Sequence, residues 1–553
     1  MQFLRMLTCS CTHPSALKME TAQVSPLPNN TVIEEKLFET KATSTDPAIV
    51  EVKVADENKE NGMIAVERPQ EIQVNGVAVK PAGGGCCITK SSGILYASPS
   101  DACKAPHEKY LFVTCPSVAQ PRRPDALMTV DVDPNSKTYC KVICKLEFPH
   151  IGDEIHHTGW NACASCYGNL QIKRTHLILP CLHSSRVYIV NTQNPKKLQL
   201  AHTVEAEEFK PFNTTFLHTT HCLPDGIMIS TLGDNDGNNS GEFVLLDSKT
   251  FKVKGKWNVE GSKTAFNYDY WYQPRKNVML STEWGTPNKI MTGFNPGHVA
   301  EGHYGNKVYV WNWTTHERIQ TIELEGPAGW IPLEVRFYHE PTQPHAFVGT
   351  ALGSAVYHIY QENDDEPYQQ RLAAVVPSRK VEGWVLPVMP PLITDIIMSM
   401  DDRFLYVSCW LHGEILQYNV VDPFDFKLVG KVTIGGLLHK QSGVSVLDEG
   451  FIGYNLTKVK GREIHGGPQM MQLSLDGRRL YVTTSLYTVW DQQFYPEMVE
   501  KGSVMLMLDV NTSEGGISLN PDFMIDFGIL EDGPYAAHEM RYPGGDCTSD
   551  IWL

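Results

Sequence analysis

The feature that most constrains this fold is a strand pattern that recurs through much of the chain. Each copy holds an apolar strand, a tight polar turn, a second apolar strand and a third strand with a Tyr, Val or Asp signature. Five copies begin with the segments 221–230, 270–281, 333–349, 393–408 and 470–484, spaced at about 45 to 80 residues. Such a period, with three or four strands per unit and almost no long helical pattern, is typical of a β-propeller. We therefore predict an all-β fold.

The number of units predicts how the ring closes. A further unit that starts at His156 brings the count to six. An inner strand at 537–542 has no outer strands after it, whereas the early strands at 110–114, 126–132 and 141–146 have no inner strand. Joining these pieces gives a seven-bladed propeller whose last blade is built from both ends of the chain.

The first 85 residues differ in composition from the rest of the chain. Between 31 and 73, charged residues, Ser and Thr surround scattered Val and Ile, and the region ends in the Pro-Ala-Gly-Gly-Gly run at 81–85. Such a segment cannot bury enough apolar area to offset its ordering entropy. We predict a disordered extension over 1–85 and a catalytic propeller domain over 86–553.

Net charge and hydropathy indicate which classes of partner and which cellular compartment suit the chain. A net charge of −16 argues against a nucleic-acid partner, because such proteins need a basic surface. No apolar run is long enough for a transmembrane helix, and the first residues are too short and interrupted for a secretory signal. The prediction is a cytosolic protein. A nuclear location stays open, as does peripheral membrane association through acylation of Cys9 or Cys11.

Several of the 20 histidines stand in or beside the predicted inner strands. Inner strands line the axis of a propeller, so their side chains converge there. The histidines concerned are His156, His157, His218, His221 and His538, with His339 and His412 at strand-turn positions. Three or four imidazoles on one axis would suit Cu, Fe or Zn. The alternative is that each is a hydrogen-bonded structural residue, and the pattern leaves both interpretations open.

The C-x-x-C pair Cys163 and Cys166 has three interpretations. A zinc site lacks a second C-x-x-C at the usual spacing. A redox pair of the thioredoxin type normally follows a strand in a βαβ unit, which this pattern does not show. Buried inert thiols are the third interpretation.

Taken together, eleven blocks of sequence resemble the selenium-binding protein family, which includes methanethiol oxidases. The match runs from about residue 86 to 553. The blocks lie at 129–134, 156–161, 216–222, 266–275, 281–284, 293–296, 392–395, 401–406, 410–413, 466–469 and 541–547. The N-terminal extension and His465 depart from the animal members.

The resemblance implies a propeller and a copper-dependent oxidation of methanethiol, with dioxygen and water, to formaldehyde, hydrogen sulfide and hydrogen peroxide. It implies metal ligands at His156, His157, His218, His221, His412 and His538, with His157, His218 and His538 as the catalytic residues. It also implies covalent selenium on Cys140 and redox thiols at Cys163 and Cys166. Glu539, Asp395 and Glu283 are candidates to orient ligand imidazoles. The alternative function is a non-catalytic selenium carrier acting in selenium handling, redox sensing or intracellular transport.

Overall fold

A computed structural model describes residues 95–169 and 171–553, and these form seven four-stranded antiparallel sheets. The prediction of a β-propeller is confirmed, whereas the predicted disorder of 1–85 lies outside the described residues. Each sheet is one blade, numbered here from the N-terminal side. The inner strand of each blade lies at the axis.

The four strands of each blade are as follows. From the inner to the outer strand, blade 1 has Met540–Arg541, Tyr110–Cys115, Pro124–Asp131 and Lys141–Ile151. Blade 2 has Gly159–Trp160, His176–Pro180, Val187–Asn191 and Gln199–Val204. Blade 3 has Thr215–Leu223, Gly226–Gly233, Asn239–Asp247 and Val253–Lys256. Blade 4 has Tyr270–Gln273, Val278–Ser281, Lys307–Asn312 and Arg318–Glu323.

The remaining blades follow the same order from inner to outer strand. Blade 5 has Pro332–Phe337, His345–Thr350, Ala355–Tyr360 and Gln369–Val375. Blade 6 has Ile393–Met398, Phe404–Cys409, Glu414–Asn419 and Lys427–Thr433. Blade 7 has Met471–Leu473, Arg479–Thr483, Val504–Val510 and Ile517–Asp526. Short extra strands lie at Arg379–Glu382, Val388–Met389, Ser445–Val446, Lys458–Val459 and Arg462–Glu463.

Burial differs between the inner and the outer strands of a blade. Thr215–Leu223 and Gly226–Gly233 are buried along almost their whole length, because neighbouring blades cover both faces of the sheet. The outermost strand of the same blade, Val253–Lys256, alternates between half-buried and exposed residues. A strand covered on both faces is buried at every position, including polar ones such as His218 and His221, whereas an outer strand is covered only at alternate positions.

The ring closes as the sequence predicts. Met540 and Arg541 pair antiparallel with Val113 and Phe112 of blade 1. Blade 1 therefore takes its inner strand from the C-terminal part of the chain and its outer strands from the N-terminal part of the described region. This pairing brings His538 and Glu539 to the axis.

Within the described residues, five short α-helices interrupt the strands, namely Pro99–Ala102, Pro287–Ile290, Pro296–Ala300, Thr488–Phe494 and Pro496–Lys501. The last four lie in insertions of blades 4 and 7, and we call residues 287–300 and 488–501 the cap. The Trp490 indole donates to the Ile290 carbonyl at 3.0 Å, and the Gln493 amide exchanges two hydrogen bonds with Phe294 at 2.8 and 2.9 Å. Across 95–169 and 171–553, every helix is too short to cross a bilayer.

Candidate metal centre

Four buried imidazoles meet on the axis of the propeller. His156 and His157 come just before the inner strand of blade 2, His218 lies on that of blade 3, and His538 precedes that of blade 1. Ring nitrogens of His156, His157 and His538 lie within 4.8 Å of one another. The His218 ring is 4.2 Å from the His157 ring, measured between centroids. None of the four is more than 3% exposed.

Three of these rings are fixed through Nδ1. His538 Nδ1 donates to the Ser485 carbonyl at 2.9 Å, and His157 Nδ1 lies 3.0 Å from a carboxylate oxygen of Glu539. His218 Nδ1 lies 3.1 Å from the Thr219 hydroxyl. A proton held on Nδ1 leaves a lone pair on Nε2. The bonding pattern thus presents Nε2 as the free atom of each ring.

The free nitrogens have no partner in the protein. Nε2 of His157, His218 and His538 and Nδ1 of His156 are buried without a hydrogen bond. Burial lowers the pKa of all four imidazoles, to about 4 for His538, so they are neutral near pH 7. An unsatisfied buried polar atom costs roughly 1–3 kcal/mol. Four of them at one place indicate a site for a ligand that accepts lone pairs.

Glu539 is the carboxylate that orients a ring of this cluster. One oxygen faces His157 and accepts from the Arg541 guanidinium at 2.6 Å, and the other accepts from the Thr158 backbone N–H and, at 2.7 Å, its hydroxyl. Burial raises the pKa of Glu539, and Arg541 opposes that rise. Of the other two candidates, Asp395 accepts from the Met471 N–H and Glu283 from the Tyr309 hydroxyl.

Two predicted ligands lie apart from the cluster. The His221 ring packs on Tyr270 and Trp271, at 5.1 and 5.2 Å between centroids. His412 Nε2 lies 3.2 Å from the Met389 carbonyl. Burial lowers the pKa of both to about 4. Neither joins the group of three close nitrogens. His339 has both ring nitrogens bonded, to Asp402 and to the Cys547 carbonyl.

The C-x-x-C pair lies in a thiol cluster of its own. Cys163, Cys166 and Cys222 surround the Ser165 hydroxyl at 3.1, 3.9 and 3.6 Å. Interaction with Cys222 lowers the pKa of Cys166 to about 6. Cys222 comes from blade 3 and was not foreseen, because nothing in the spacing of 163 and 166 points to it. The redox role of these thiols stays a prediction.

Cys140 occupies a different part of the molecule. It directly precedes Lys141–Ile151, the outermost strand of blade 1, and its backbone is left-handed at φ 60°. The side chain is half-buried, and its sulfur lies 3.9 Å from the Asp522 carbonyl. Burial raises the pKa of this thiol. The selenium prediction therefore concerns a residue on the rim, not on the axis.

A small apolar cavity lies beside His156. Its volume is about 10 Å³, room for about one water-sized group. The walls include Tyr268, Trp284 and Trp490 on the aromatic side and Ile331 and Leu392 on the aliphatic side. The arrangement joins lone-pair nitrogens to an apolar pocket, which suits a small molecule with one metal-binding atom and one apolar group.

Charged side chains fill the axis next to this pocket. The Arg336 guanidinium donates to Asp269 at 2.5 Å and to Glu334 at 2.7 Å, and lies 3.8 Å from Asp395. Burial raises the pKa of Asp395 to about 7. Burial alone would raise the pKa of Asp269 as well, but Arg336 overrides it and the pKa is lowered.

Comparison with known proteins gives a consistent result. The model of the family described as 56 kDa selenium-binding protein matches residues 89–553. A methanethiol oxidase of Xenopus laevis is 51% identical over 469 residues, which cover 84% of this chain and 99% of the relative. A methanethiol oxidase of Bos taurus is 50% identical, covering 83% and 98%.

Two further relatives complete the comparison. Selenium-binding protein 2 of Mus musculus is 49% identical, covering 83% of this chain and 98% of the relative. The crystal structure of a selenium-binding protein from Sulfolobus tokodaii superimposes with a TM-score of 0.74 at 36% identity, over 83% of this chain and 99% of that one. The residues that the family model matches, 89–553, include all seven blades.

Proposed function

The chain belongs to the 56 kDa selenium-binding protein family, and from that premise we propose that it is a methanethiol oxidase. The reaction takes methanethiol, dioxygen and water to formaldehyde, hydrogen sulfide and hydrogen peroxide. The observation that carries the proposal is the cluster of four buried imidazoles with unpartnered nitrogens beside a small apolar cavity. Relatives named methanethiol oxidase, with which the chain shares 50 to 51% sequence identity, support the proposal.

The proposed cofactor is copper, held by His156, His157, His218 and His538. The donor set fits, because imidazole nitrogen is a good ligand for copper and the four rings are neutral. When bound, copper would supply electron transfer to dioxygen and deprotonation of the coordinated thiol. The proposed catalytic residues are His157, His218 and His538, whose Nδ1 contacts fix the rings with Nε2 free.

The protein around the site orients the substrate and excludes water. Trp284, Trp490 and Leu392 close the apolar side of the cavity, which would take the methyl group of the thiol. The sulfur end then faces His156. A cavity of about 10 Å³ leaves little room for bulk water. Exclusion of water strengthens the electrostatic interactions within the site and limits side reactions.

A second function, selenium carriage on Cys140, is favoured by the partial exposure of that thiol and by the relative named selenium-binding protein 2. The raised pKa of Cys140 keeps it mostly protonated near pH 7, which predicts slow reaction because the thiolate is the nucleophile. The two functions use separate parts of the fold and do not exclude each other.

The proposed location is the cytosol. The cysteines at 103, 115, 140, 144, 163, 166, 181, 222, 409 and 547 are all unpaired thiols, which fits a reducing compartment.

The test combines metal analysis with turnover. Copper-loaded protein is expected to consume methanethiol and release sulfide and peroxide. His157→Ala and His538→Ala are expected to lose copper and at least 99% of activity while keeping the far-UV circular dichroism of the propeller, since each removes one of a few ligands.

His412→Ala is the matched control, because this histidine is equally buried but lies apart from the cluster. It is expected to keep both copper and activity. Stoichiometric copper and full turnover in both His157→Ala and His538→Ala would show that the ligand set is wrong.

A further inference from the structure

The cavity beside His156 has a wall of unusual construction. Ile331 and Leu392 both line it, from blades 5 and 6. Each residue stands directly before the inner strand of its blade, Pro332–Phe337 and Ile393–Met398. The same position in two successive blades therefore points an aliphatic side chain at the same small space.

Both residues have a left-handed backbone, with φ of 59° for Ile331 and 56° for Leu392. For a β-branched residue this conformation is a genuine outlier, and a following proline normally pushes the backbone to the extended region. Glycine adopts positive φ without this strain. The same left-handed conformation occurs at Glu154 and Phe216 near the inner strands of blades 2 and 3. The conformation therefore belongs to the fold, and the aliphatic side chains at 331 and 392 are what blades 5 and 6 add to the cavity.

The surrounding hydrogen bonds hold this conformation in place. The Ile331 N–H donates to the Gly305 carbonyl at 2.9 Å, and its carbonyl accepts from Ala351 at 2.7 Å. The Leu392 N–H donates to the Ser354 hydroxyl at 3.2 Å, and its carbonyl accepts from Trp410 at 3.0 Å. A strained backbone conformation persists where hydrogen bonds to the surrounding structure fix both the N–H and the carbonyl of the residue. Residues with such backbone conformations cluster at ligand sites.

The aromatic part of the cavity lining is also held in place by its contacts. Trp284 and Trp490 contact each other edge to face at 5.8 Å, and the Trp490 indole is bonded to the cap. His156 and Thr394 are the polar residues of the lining, and Leu333, Ala351 and Leu486 complete its aliphatic part beside Ile331 and Leu392.

We propose that Ile331 and Leu392 determine the size of the thiol that reaches the histidine cluster, restricting it to a methyl substituent. This inference rests on the proposed oxidase function. A cavity of about 10 Å³ has no space for additional methylene groups. A hydrophobic pocket discriminates one methylene by about 10- to 200-fold in kcat/KM.

The test uses Ile331→Gly and Leu392→Gly, which open the cavity and remove the backbone strain together. In each variant, the ratio of kcat/KM for 1-propanethiol to that for methanethiol is expected to rise at least about 10-fold, with copper content unchanged. The control is Ile397→Ala, a buried isoleucine in the core of blade 6 outside the cavity lining. It is expected to leave the ratio unchanged. An unchanged ratio in both glycine variants would overturn the inference, while methanethiol turnover by the wild type would leave the oxidase function standing.

A second measurement tests the cavity without turnover. Xenon-129 NMR of the metal-free protein is expected to show no binding to the wild-type cavity and saturable binding to Ile331→Gly and Leu392→Gly, because enlarged apolar cavities bind xenon. Absence of binding in both variants would overturn the inference whatever the activity. If the wild type oxidises no methanethiol but the variants bind xenon, the oxidase function fails and the size restriction stands.

Discussion

Two adjacent regions of the axis differ in how their buried polar groups are compensated. In the histidine region, formed by His156, His157, His218 and His538, the nitrogens that face one another have no partner in the protein. In the ionic region, guanidinium groups from the inner strands of blades 1 and 5 meet carboxylates: Arg336 meets Asp269 and Glu334, and Arg541 meets Glu539.

This difference in compensation distinguishes a region that stabilises the fold from a region that binds a ligand. Buried charges are tolerated when opposite charges compensate them. The guanidinium charges of the ionic region are balanced in this way within the protein, although Arg336 Nε, Arg541 Nε and Glu334 Oε1 lack a hydrogen-bond partner. Neutral imidazoles with lone pairs turned toward one another compensate nothing, so the histidine region is complete only with a ligand. The contact of Glu539 with both His157 and Arg541 joins the two regions.

The largest expected effect is on the free energy of unfolding, and it comes from a substitution that disrupts the ionic region. Arg336→Met leaves the buried carboxylate of Asp269 without its counter-charge and Glu334 without its hydrogen-bond donor. We expect a loss of about 3–5 kcal/mol in the free energy of unfolding, measured by urea denaturation, with copper retained by the folded fraction. Lys104→Met, at an exposed ion pair with Asp101, is the control, with an expected loss below about 1 kcal/mol. Equal losses in the two variants would contradict the comparison.

The next effect tests the neutral state of the histidine region by pH. Burial lowers the pKa of His538 to about 4 from 6.5. Above pH 6.5 the ring is neutral in both folded and unfolded protein. As the pH falls toward 4, the unfolded chain gains a proton that the folded chain does not, so metal-free protein loses stability. The expected loss is about 3 kcal/mol.

This contribution is isolated by comparing wild type with His538→Asn in urea denaturation at several pH values. The wild type is expected to lose more stability than the variant between pH 6.5 and 4. Parallel pH curves would mean that His538 titrates normally in the folded protein.

A smaller effect concerns the contact between the two regions. Glu539→Gln removes the charge that faces His157 and keeps the size of the side chain. We expect copper to bind about 10- to 100-fold more weakly, measured by competition with a chelator. Glu283→Gln is the matched control, since this buried carboxylate bonds Tyr309 instead of a histidine of the cluster. Equal affinity in wild type and Glu539→Gln would remove Glu539 from the site.

The smallest expected effect lies outside both regions. Cys140→Ser changes a thiol on the rim of blade 1, so copper content and methanethiol turnover are expected to stay within about twofold of wild type. Incubation with selenite followed by elemental analysis then tests the carrier function, with covalent selenium expected in wild type and lost in the variant. A large fall in turnover would place Cys140 in the catalytic machinery.

The fold could be predicted closely because strands in a propeller repeat. The recurring strands and the unpaired inner strand at 537–542 correctly predicted seven blades and one mixed blade. The blade predicted as the mixed last blade is the one numbered blade 1 here. The same reasoning put His156, His157, His218 and His538 on one axis, where they meet.

The rest depended on contacts that a sequence pattern does not carry. His218 and His221 share one strand, but the pairing register shifts between Leu217 and Thr220, so alternation along the sequence does not tell which of them faces the cluster. The Ser485 carbonyl that fixes His538 belongs to a loop of blade 7. The cap, the cavity and the approach of Cys222 to Cys166 arise from packing between blades.

The closure of blade 1 sets the time at which the site comes into being. His157 and Glu539 are separated by 382 residues. Ribosomes add about 5 to 20 residues per second, so roughly 20 to 80 s pass between the synthesis of the two. During that interval His157 lacks its carboxylate, His538 is absent and the ring is open. A growing chain thus has no complete histidine cluster, and binding of the proposed copper would have to follow the completion of the chain.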